Sequence, residues 1–420
     1  MDVGRPPPDG PILPSHVNEV CKADPRPIHS PGLWDQSNAK NFLSYALPRL
    51  QLQLAVIFFL TQSIYIFLRR FHLSRIVSEI LAGIILGPTV LGAIIPNFTE
   101  TLFPPEGEIY LQLLSKIGFT FFMFLIGVKM DTSLVVKSGK RAWTIGLLSI
   151  TILVVVALTV SPFMDPIVDI NKIGAIKMVI GVQTFSPFPV IACLLTDLKI
   201  TNTELGRLSL ASSLIKDISN TLLGILINYA RVGAAGTNVA GMLVLVLYIV
   251  FVLTMVFVGR AVFSWIIKQT PEGKPVNGVY IVFVSVAVLL SSIISDNLGI
   301  QYHFGPFILG LIVPGGPPLG ATLVETFDTF ISGLFTPLLL TYCGLKSNLL
   351  VVYNLTFISI VWISVFVAAV VKLASTFSLA LFCKMPVKDA TSLAIIMSTQ
   401  GVVELAMYHS YRKNSVLDNP

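Results

Sequence analysis

The sequence predicts an all-α, polytopic membrane protein of about 12 transmembrane helices, arranged as inverted repeats with two broken crossing helices. Three observations carry that prediction. Of the 420 residues, 54% are hydrophobic and 12% charged, with a mean hydropathy of +0.82; in a soluble domain about a quarter are charged. The apolar residues fall in long continuous runs of Leu, Ile, Val and Phe, which favours helices over the short alternating strands of a membrane β-barrel. The connections between runs are short, and a helical crossing takes about 20 apolar residues. The chain therefore holds on the order of a dozen crossings, which excludes a receptor with a single anchor.

Residues 1–45 open with MDVGRPPPDGPILP and contain no apolar run, so they read as a disordered, Pro-rich tail, and the first crossing serves as the targeting signal. Residues 46–410 form the transmembrane domain and 411–420 a short C-terminal tail. Crossings are predicted at 50–68, 76–95, 110–128, 142–162, 173–196, 205–230, 239–267, 276–295, 300–314, 324–344, 353–381 and 388–409.

Orientation follows from the short loops, because cytoplasmic loops carry the excess of Lys and Arg. The odd-numbered loops hold Arg69, Arg70 and Arg75, then Lys129, Lys137, Lys140 and Arg141, then Lys199 and Arg207, then Arg260, Lys268 and Lys274, and finally Lys384 and Lys388. The even-numbered loops hold little beyond Lys172, Arg231 and Lys346. Odd loops are thus cytosolic and the N-terminus is outside, which also puts the Asn97-Phe98-Thr99 glycosylation sequon outside. The net charge of +6 and pI near 9.1 come from these loops and report topology, not nucleic-acid binding. Cys21, Cys193, Cys343 and Cys383 are far apart and form no CxxC pair, so no zinc site, disulfide framework or redox cofactor is indicated.

Chemistry concentrates at a few intramembrane positions. Asp217 lies near the middle of the sixth crossing, where an ionised Asp costs about 2.5–3.5 kcal/mol to insert. A carboxylate facing a water-filled cavity takes either a proton or a desolvated monovalent cation, and that competition alone couples their opposite movements. The other reading is a structural ion pair with Lys216, although adjacent helical residues point about a quarter turn apart. Lys372 sits at similar depth in the eleventh crossing. It either pairs with a carboxylate when the transported ion is absent or caps carbonyls of a broken helix.

Two crossings are interrupted. The fifth contains Thr184-Phe185-Ser186-Pro187-Phe188-Pro189, whose two prolines remove backbone donors. The twelfth contains Ser398-Thr399-Gln400-Gly401, a polar cluster ending in Gly. Each alone reads as a kink, but freed carbonyls and half-helix ends also offer ion contacts. Glu404 follows one turn after Gln400 and reads as a hydrogen-bonded structural carboxylate or as a modulator of the site. The two broken helices lie seven crossings apart and so run in opposite directions, as inverted repeats require. No clustered nucleophile and base or metal-ligand set appears, so an enzyme is not expected.

From about residue 19 to 410 the residues resemble a known family. The stretches ALPRLQLQLAVIFF, RIVSEILAGIILGPTVLG, LSKIGFTFFMFLIGVKMD, PVIACLLTDLKITNTELGRLSLASSLIKD, FGPFILGLIVPGGPPLG, FISGLFTPLLLTYCGL and TSLAIIMSTQGVVELA are similar to the plant cation/H+ exchangers of the monovalent cation:proton antiporter superfamily. The resemblance implies a sodium/proton antiporter-like fold of core and dimerisation domains, exchange of K+ or Na+ for H+, a homodimer or a heterodimer with related exchangers, and residence in the plasma membrane or an endomembrane. It places Asp217 on the family's ion-binding carboxylate, Lys372 on its membrane lysine, and Thr184 and the Ser186-Pro187 break in its first broken helix, with no cofactor beyond the transported ions.

The chain departs from the family pattern at three positions. Lys216 stands where Asn usually precedes the Asp, Gln400 where Lys or Arg is common, and Gln301 where His is usual. A fixed charge at Lys216 is expected to hold Asp217 ionised and to repel an incoming cation. Family members continue into a thirteenth crossing and a long cytosolic C-terminal domain, both outside these 420 residues. Two readings result: a secondary active antiporter working by alternating access, or a non-transporting truncated homologue that associates with full-length exchangers and modulates them.

Overall fold

The computed structural model describes residues 45–71, 75–95, 97–130, 139–164, 179–183, 188–201, 203–234, 238–270, 276–299, 301–347, 355–401 and 403–404, together with residues 28 and 43. Every regular element among them is helical. The expected N- and C-terminal tails lie almost wholly outside the described residues.

The first crossing is α1 (Ala46–Leu68). The second divides into α2 (Arg75–Leu86) and α3 (Leu91–Ile94), because Gly87-Pro88 withdraws a backbone donor and keeps the preceding residue from helical geometry. After α4 (Phe98–Leu102), the third crossing is α5 (Pro105–Lys129), opened by a proline where a missing N–H costs nothing. The fourth is α6 (Gly139–Met164). The fifth comprises helical residues 179–183 and α7 (Phe188–Asp197), and the sixth is α8 (Glu204–Ala234). The seventh is α9 (Asn238–Thr254), a π-turn at Met255–Gly259 and α10 (Arg260–Gln269). The eighth is α11 (Gly278–Asn297), capped by Asn277, whose side chain accepts from the Val279 N–H at 3.1 Å. The ninth is α12 (Phe304–Ile312) and the tenth α13 (Leu319–Phe330), a π-turn at Ile331–Phe335 and α14 (Thr336–Leu345). The eleventh is α15 (Leu355–Phe382), and the twelfth begins as α16 (Val387–Ser398).

Eight helical stretches among the described residues are long and apolar enough to cross a bilayer. Four predicted crossings are not among them. The fifth and twelfth are broken, and the sixth is long enough but diluted by Ser, Asn, Lys216 and Asp217. The ninth is short: nine residues of α12 rise only about 14 Å, against about 30 Å of hydrocarbon, so loop residues on either side complete the passage. It passes through the membrane buried in protein, against α5 and α11.

The inverted repeat is visible in the packing. Gly83 of α2 lies against the backbone of Thr341, Gly344 and Leu345, and Gly310 of α12 lies against that of Phe124, Gly127 and Val128. The two sets of contact positions are related by one constant offset along the chain, and a side chain at either glycine would overlap main chain. Each contact carries the same tripeptide pattern, Gly127-Val128-Lys129 and Gly344-Leu345-Lys346. The two lysines then make matching bridges. Lys129 Nζ reaches Asp328 at 2.7 Å, and Lys346 pairs with Glu108. Each bridge joins the end of one crossing to the beginning of the other, so the third and tenth run antiparallel, side by side.

The helices sort into two bodies. A polar bundle consists of α6, α7, α8, α15 and α16, and a scaffold is built on α1, α2, α5, α11, α12, α13 and α14. Side-chain hydrogen bonds and ion pairs tie crossings together within each body: Thr341 to Glu79, Tyr342 to Glu108 and Lys129 to Asp328 in the scaffold, Gln400 to Gln183 and Arg141 to Glu204 in the bundle. The bodies meet through apolar side chains, with Phe119, Met123 and Phe307 of the scaffold packed in one cluster with Phe188, Ile191 and Leu214 of the bundle.

Candidate functional site

The twelfth crossing breaks where Gly and polar residues interrupt its apolar run. Helix α16 stops at Ser398, Thr399 turns to extended backbone with φ −62° and ψ 143°, and helical geometry resumes at residues 403–404. The Ser398 and Thr399 hydroxyls are turned back on their own helix, donating to the Ile395 and Ile396 carbonyls at 2.8 and 2.7 Å. Gly401 opens the second half. Its N–H donates to Glu404 Oε2 at 2.9 Å, the reciprocal contact of a capping box, which neutralises the exposed amide end of that half-helix.

The fifth crossing has the complementary arrangement. Thr184, Ser186 and Pro187 lie outside the described residues, which resume at Phe188, the first residue of α7. Pro189 occupies the second position of α7, where the helix has no use for an N–H, so it starts the half-helix and does not disrupt it. The Phe188 N–H donates to the Asp217 carboxylate. Each half-helix that begins mid-membrane therefore presents its positive end to a carboxylate, Asp217 in one case and Glu404 in the other. The two breaks also touch directly, since the Gln400 amide donates to the Gln183 side-chain carbonyl across 217 positions of sequence.

Around these ends four ionisable side chains converge. Lys216 and Lys372 are each 1% exposed and Glu404 3%, whereas Asp217 is only partly buried. Lys216 lies within electrostatic reach of Asp217, Glu404 and Lys372, and the carboxylate that Lys372 faces is Glu404. Counted as two ammonium groups and two carboxylates, the cluster carries no net charge. The helix faces that present the lysines continue as polar ladders. Ser212 and Asn220 stand one turn before and after Lys216, and Thr376 one turn after Lys372. Ser212 Oγ, Asn220 Nδ2, Thr376 Oγ1 and Glu404 Oε1 are buried without a hydrogen-bond partner among the described residues. Such groups are costly to leave unmet, so the site has hydrogen-bonding capacity that the described protein groups do not use. Among the described residues no cluster of three or more His, Cys, Asp or Glu is placed to hold a resident metal.

Sequence reasoning named Asp217, Lys216, Lys372, Gln400, Gly401 and Glu404, and the structure brings these together. It missed Gln183, Phe188 and Asn220. Gln183 carried a signal, being polar in an apolar run beside the Pro-containing break. Phe188 contributes a main-chain N–H, which no side-chain pattern announces.

With this geometry in hand, the chain was compared with known proteins. The sequence model of the family described as "Sodium/hydrogen exchanger, transmembrane" matches residues 55–420. The chain is 34% identical over 401 residues to Cation/H(+) antiporter 15 of Arabidopsis thaliana, a match covering 95% of the chain and 48% of that protein. It is 31% identical over 382 residues to Cation/H(+) antiporter 17 of the same organism, covering 90% of the chain and 46% of that protein. The chain thus spans about half the length of the curated relatives it matches. Among solved structures, the sodium proton antiporter MjNhaP1 from Methanocaldococcus jannaschii at pH 8 superposes with a TM-score of 0.58 at 16% identity, covering 87% of each chain.

Proposed function

The chain belongs to the sodium/hydrogen exchanger family, a family of multi-pass integral membrane proteins, and from that premise we propose that it exchanges a monovalent cation, K+ or Na+, for H+ by alternating access. The observation that carries this reading is Asp217, a mid-membrane carboxylate at the start of a half-helix, within electrostatic reach of Lys216 and Glu404. Asp217 is the exchanging group: a proton or a cation satisfies it, never both. Lys372 and Glu404 hold the second break as a pair, and the Gln183–Gln400 contact keeps the breaks in register. The polar bundle moves as a unit against the scaffold, favoured by the apolar, directionless packing of Phe119, Met123 and Phe307 on Phe188, Ile191 and Leu214. Residence in the plasma membrane or an endomembrane, and association as a homodimer or with related exchangers, belong to the same proposal.

The test is pH-gradient-driven uptake of K+ and Na+ into vesicles containing the purified protein. Asp217→Asn is expected to reduce uptake to that of protein-free vesicles, and unchanged uptake in this variant refutes the mechanism. One observation favours a second reading, a non-transporting homologue that binds related exchangers: the cluster is already charge-balanced by Lys216, leaving no electrostatic vacancy for a cation. Lys216→Asn distinguishes the two. On the antiporter reading it raises apparent cation affinity in a protein that already transports; on the second reading the parent is silent and the variant stays silent.

A further inference from the structure

The cytosolic end of the polar bundle carries cations that its own carboxylates do not match. Lys140 and Arg141 open α6, Lys384 stands in the turn between α15 and α16, and Lys388 lies in the first turn of α16; all four are exposed. Among the described residues Arg141 has a carboxylate within reach, Glu204 at 3.9 Å, and both side chains stay more than half exposed. Lys140, Lys384 and Lys388 make no ion pair there, although Asp389 is exposed in the same turn as Lys388. On the same side of the scaffold, Lys129 and Arg75 face Asp328 and Glu79 at 2.7 and 2.9 Å.

Helix α15 packs against both α6 and α16. Ala142, Ala380 and Ala390 are fully buried in one apolar cluster, and each of the four cations stands within about one turn of one of them. Three chain segments thus bring them to one end of one packed body. Trp143, Phe382 and Val387 are exposed at the same level, an apolar and aromatic collar of the kind found where hydrocarbon meets headgroups. The turn after α15 adds a further sign. Met385 N–H donates to the Ala380 carbonyl at 3.2 Å and Lys384 N–H to that of Leu381 at 2.9 Å, with Lys384 at φ 59°. Glycine usually fills this left-handed position, because a side chain is strained there. Helix α7 ends the same way on the same side, with the exposed Lys199 at φ 57°. In both turns the chain gives up stability and gains a surface cation.

We propose that this end of the polar bundle binds the headgroup of an anionic phospholipid of the inner leaflet, with Lys140, Arg141, Lys384 and Lys388 as its cationic face. Charge and depth select the occupant. Cations clustered in the headgroup layer attract the anionic lipids that the cytoplasmic leaflet supplies, whereas a zwitterionic headgroup has no net charge to offer them. Lysine stems reach that layer with their methylenes against apolar surface, and the collar of Trp143, Phe382 and Val387 meets the acyl chains, which a soluble phosphate lacks. The site is separate from the buried cluster around Asp217 and does not depend on the exchange reading.

The test is native mass spectrometry of the purified 420-residue chain in dodecyl maltoside, which requires no ion flux. Phosphatidylinositol 4-phosphate is expected to bind at least about tenfold more tightly than phosphatidylcholine with the same acyl chains, at about fivefold for each cation engaged. Lys384→Gln with Lys388→Gln is expected to weaken that binding on the order of twentyfold. Arg69→Gln with Arg70→Gln, which removes the same charge from the cytosolic end of α1, is expected to leave it unchanged. Lys384→Gly is expected to weaken it about fivefold while the thermal unfolding temperature stays at or above the parent's, because glycine fits the turn; unchanged affinity in this variant removes Lys384 from the site. Equal affinity of the parent for the two lipids overturns the proposal. So does a loss in the Arg69 and Arg70 variant as large as in the Lys384 and Lys388 variant, which would mean general attraction to positive loops. Inositol 1,4-bisphosphate binding as tightly as the whole lipid would assign the cations to a soluble phosphate and overturn it as well.

Discussion

The scaffold and the polar bundle are built from helices of similar length, yet they are held together by opposite means. In the scaffold, α2 meets α14 and α12 meets α5 at glycines, so main chain packs on main chain. Its ion pairs lie at helix ends, where Lys129 and Lys346 keep 39% and 36% of their side chains in contact with solvent. In the bundle, Lys216 and Lys372 are mid-helix and 1% exposed, and half-helix ends face carboxylates. Close van der Waals packing between small residues holds membrane helices together at little cost. Burying ions costs several kcal/mol per charge, which neighbours only offset. Charges placed as those of the bundle are therefore poor evidence of stabilisation and good evidence of function.

The contrast sets the order of expected effects. Asp217→Asn is expected to abolish the proposed exchange without loss of folded protein, because it takes away a charge and keeps the shape. Glu404→Ala leaves Lys372 without the carboxylate it faces and is expected to cost about 3–5 kcal/mol, read as a large fall in thermal unfolding temperature in detergent. Replacing both partners, as in Lys372→Met with Glu404→Leu, is expected to recover most of that loss while exchange stays impaired. In the scaffold, Gly127→Leu forces α5 and α12 apart and is expected to cost about 1–3 kcal/mol; any fall in flux should then track the fall in folded protein. At the small end, Lys129→Met breaks a half-exposed end bridge worth less than about 1 kcal/mol, with unfolding temperature and flux both near the parent's. A large effect there would place functional charge in the scaffold and erase the distinction.

Much of this was legible in the sequence, for identifiable reasons. The crossings announce themselves through long apolar runs, and their predicted positions agree with the helices to within a few residues at most ends. The ninth is shorter than the apolar run suggested, because counting apolar residues does not distinguish a full-length helix from a short one buried in protein: FGPFILGLIV reads the same in either setting. The second break was readable because Thr399-Gln400-Gly401 combines poor helix formers with polarity where lipid would tolerate neither. The repeat was harder, since Gly127-Val128-Lys129 and Gly344-Leu345-Lys346 are short, common patterns. Only their matching contacts with Gly310 and Gly83 give them meaning.

The sequence by itself determined that the chain crosses a membrane many times, where the helices break, and which few ionisable residues lie inside. These are local consequences of transfer free energy and backbone chemistry, written into consecutive residues. Only the tertiary structure decided that Lys372 faces Glu404, that Gln183 meets Gln400, and that a phenylalanine amide holds Asp217. Electrostatic and hydrogen-bonding partnerships depend on distances through space, and the helices that set those distances are joined by contacts between residues hundreds of positions apart.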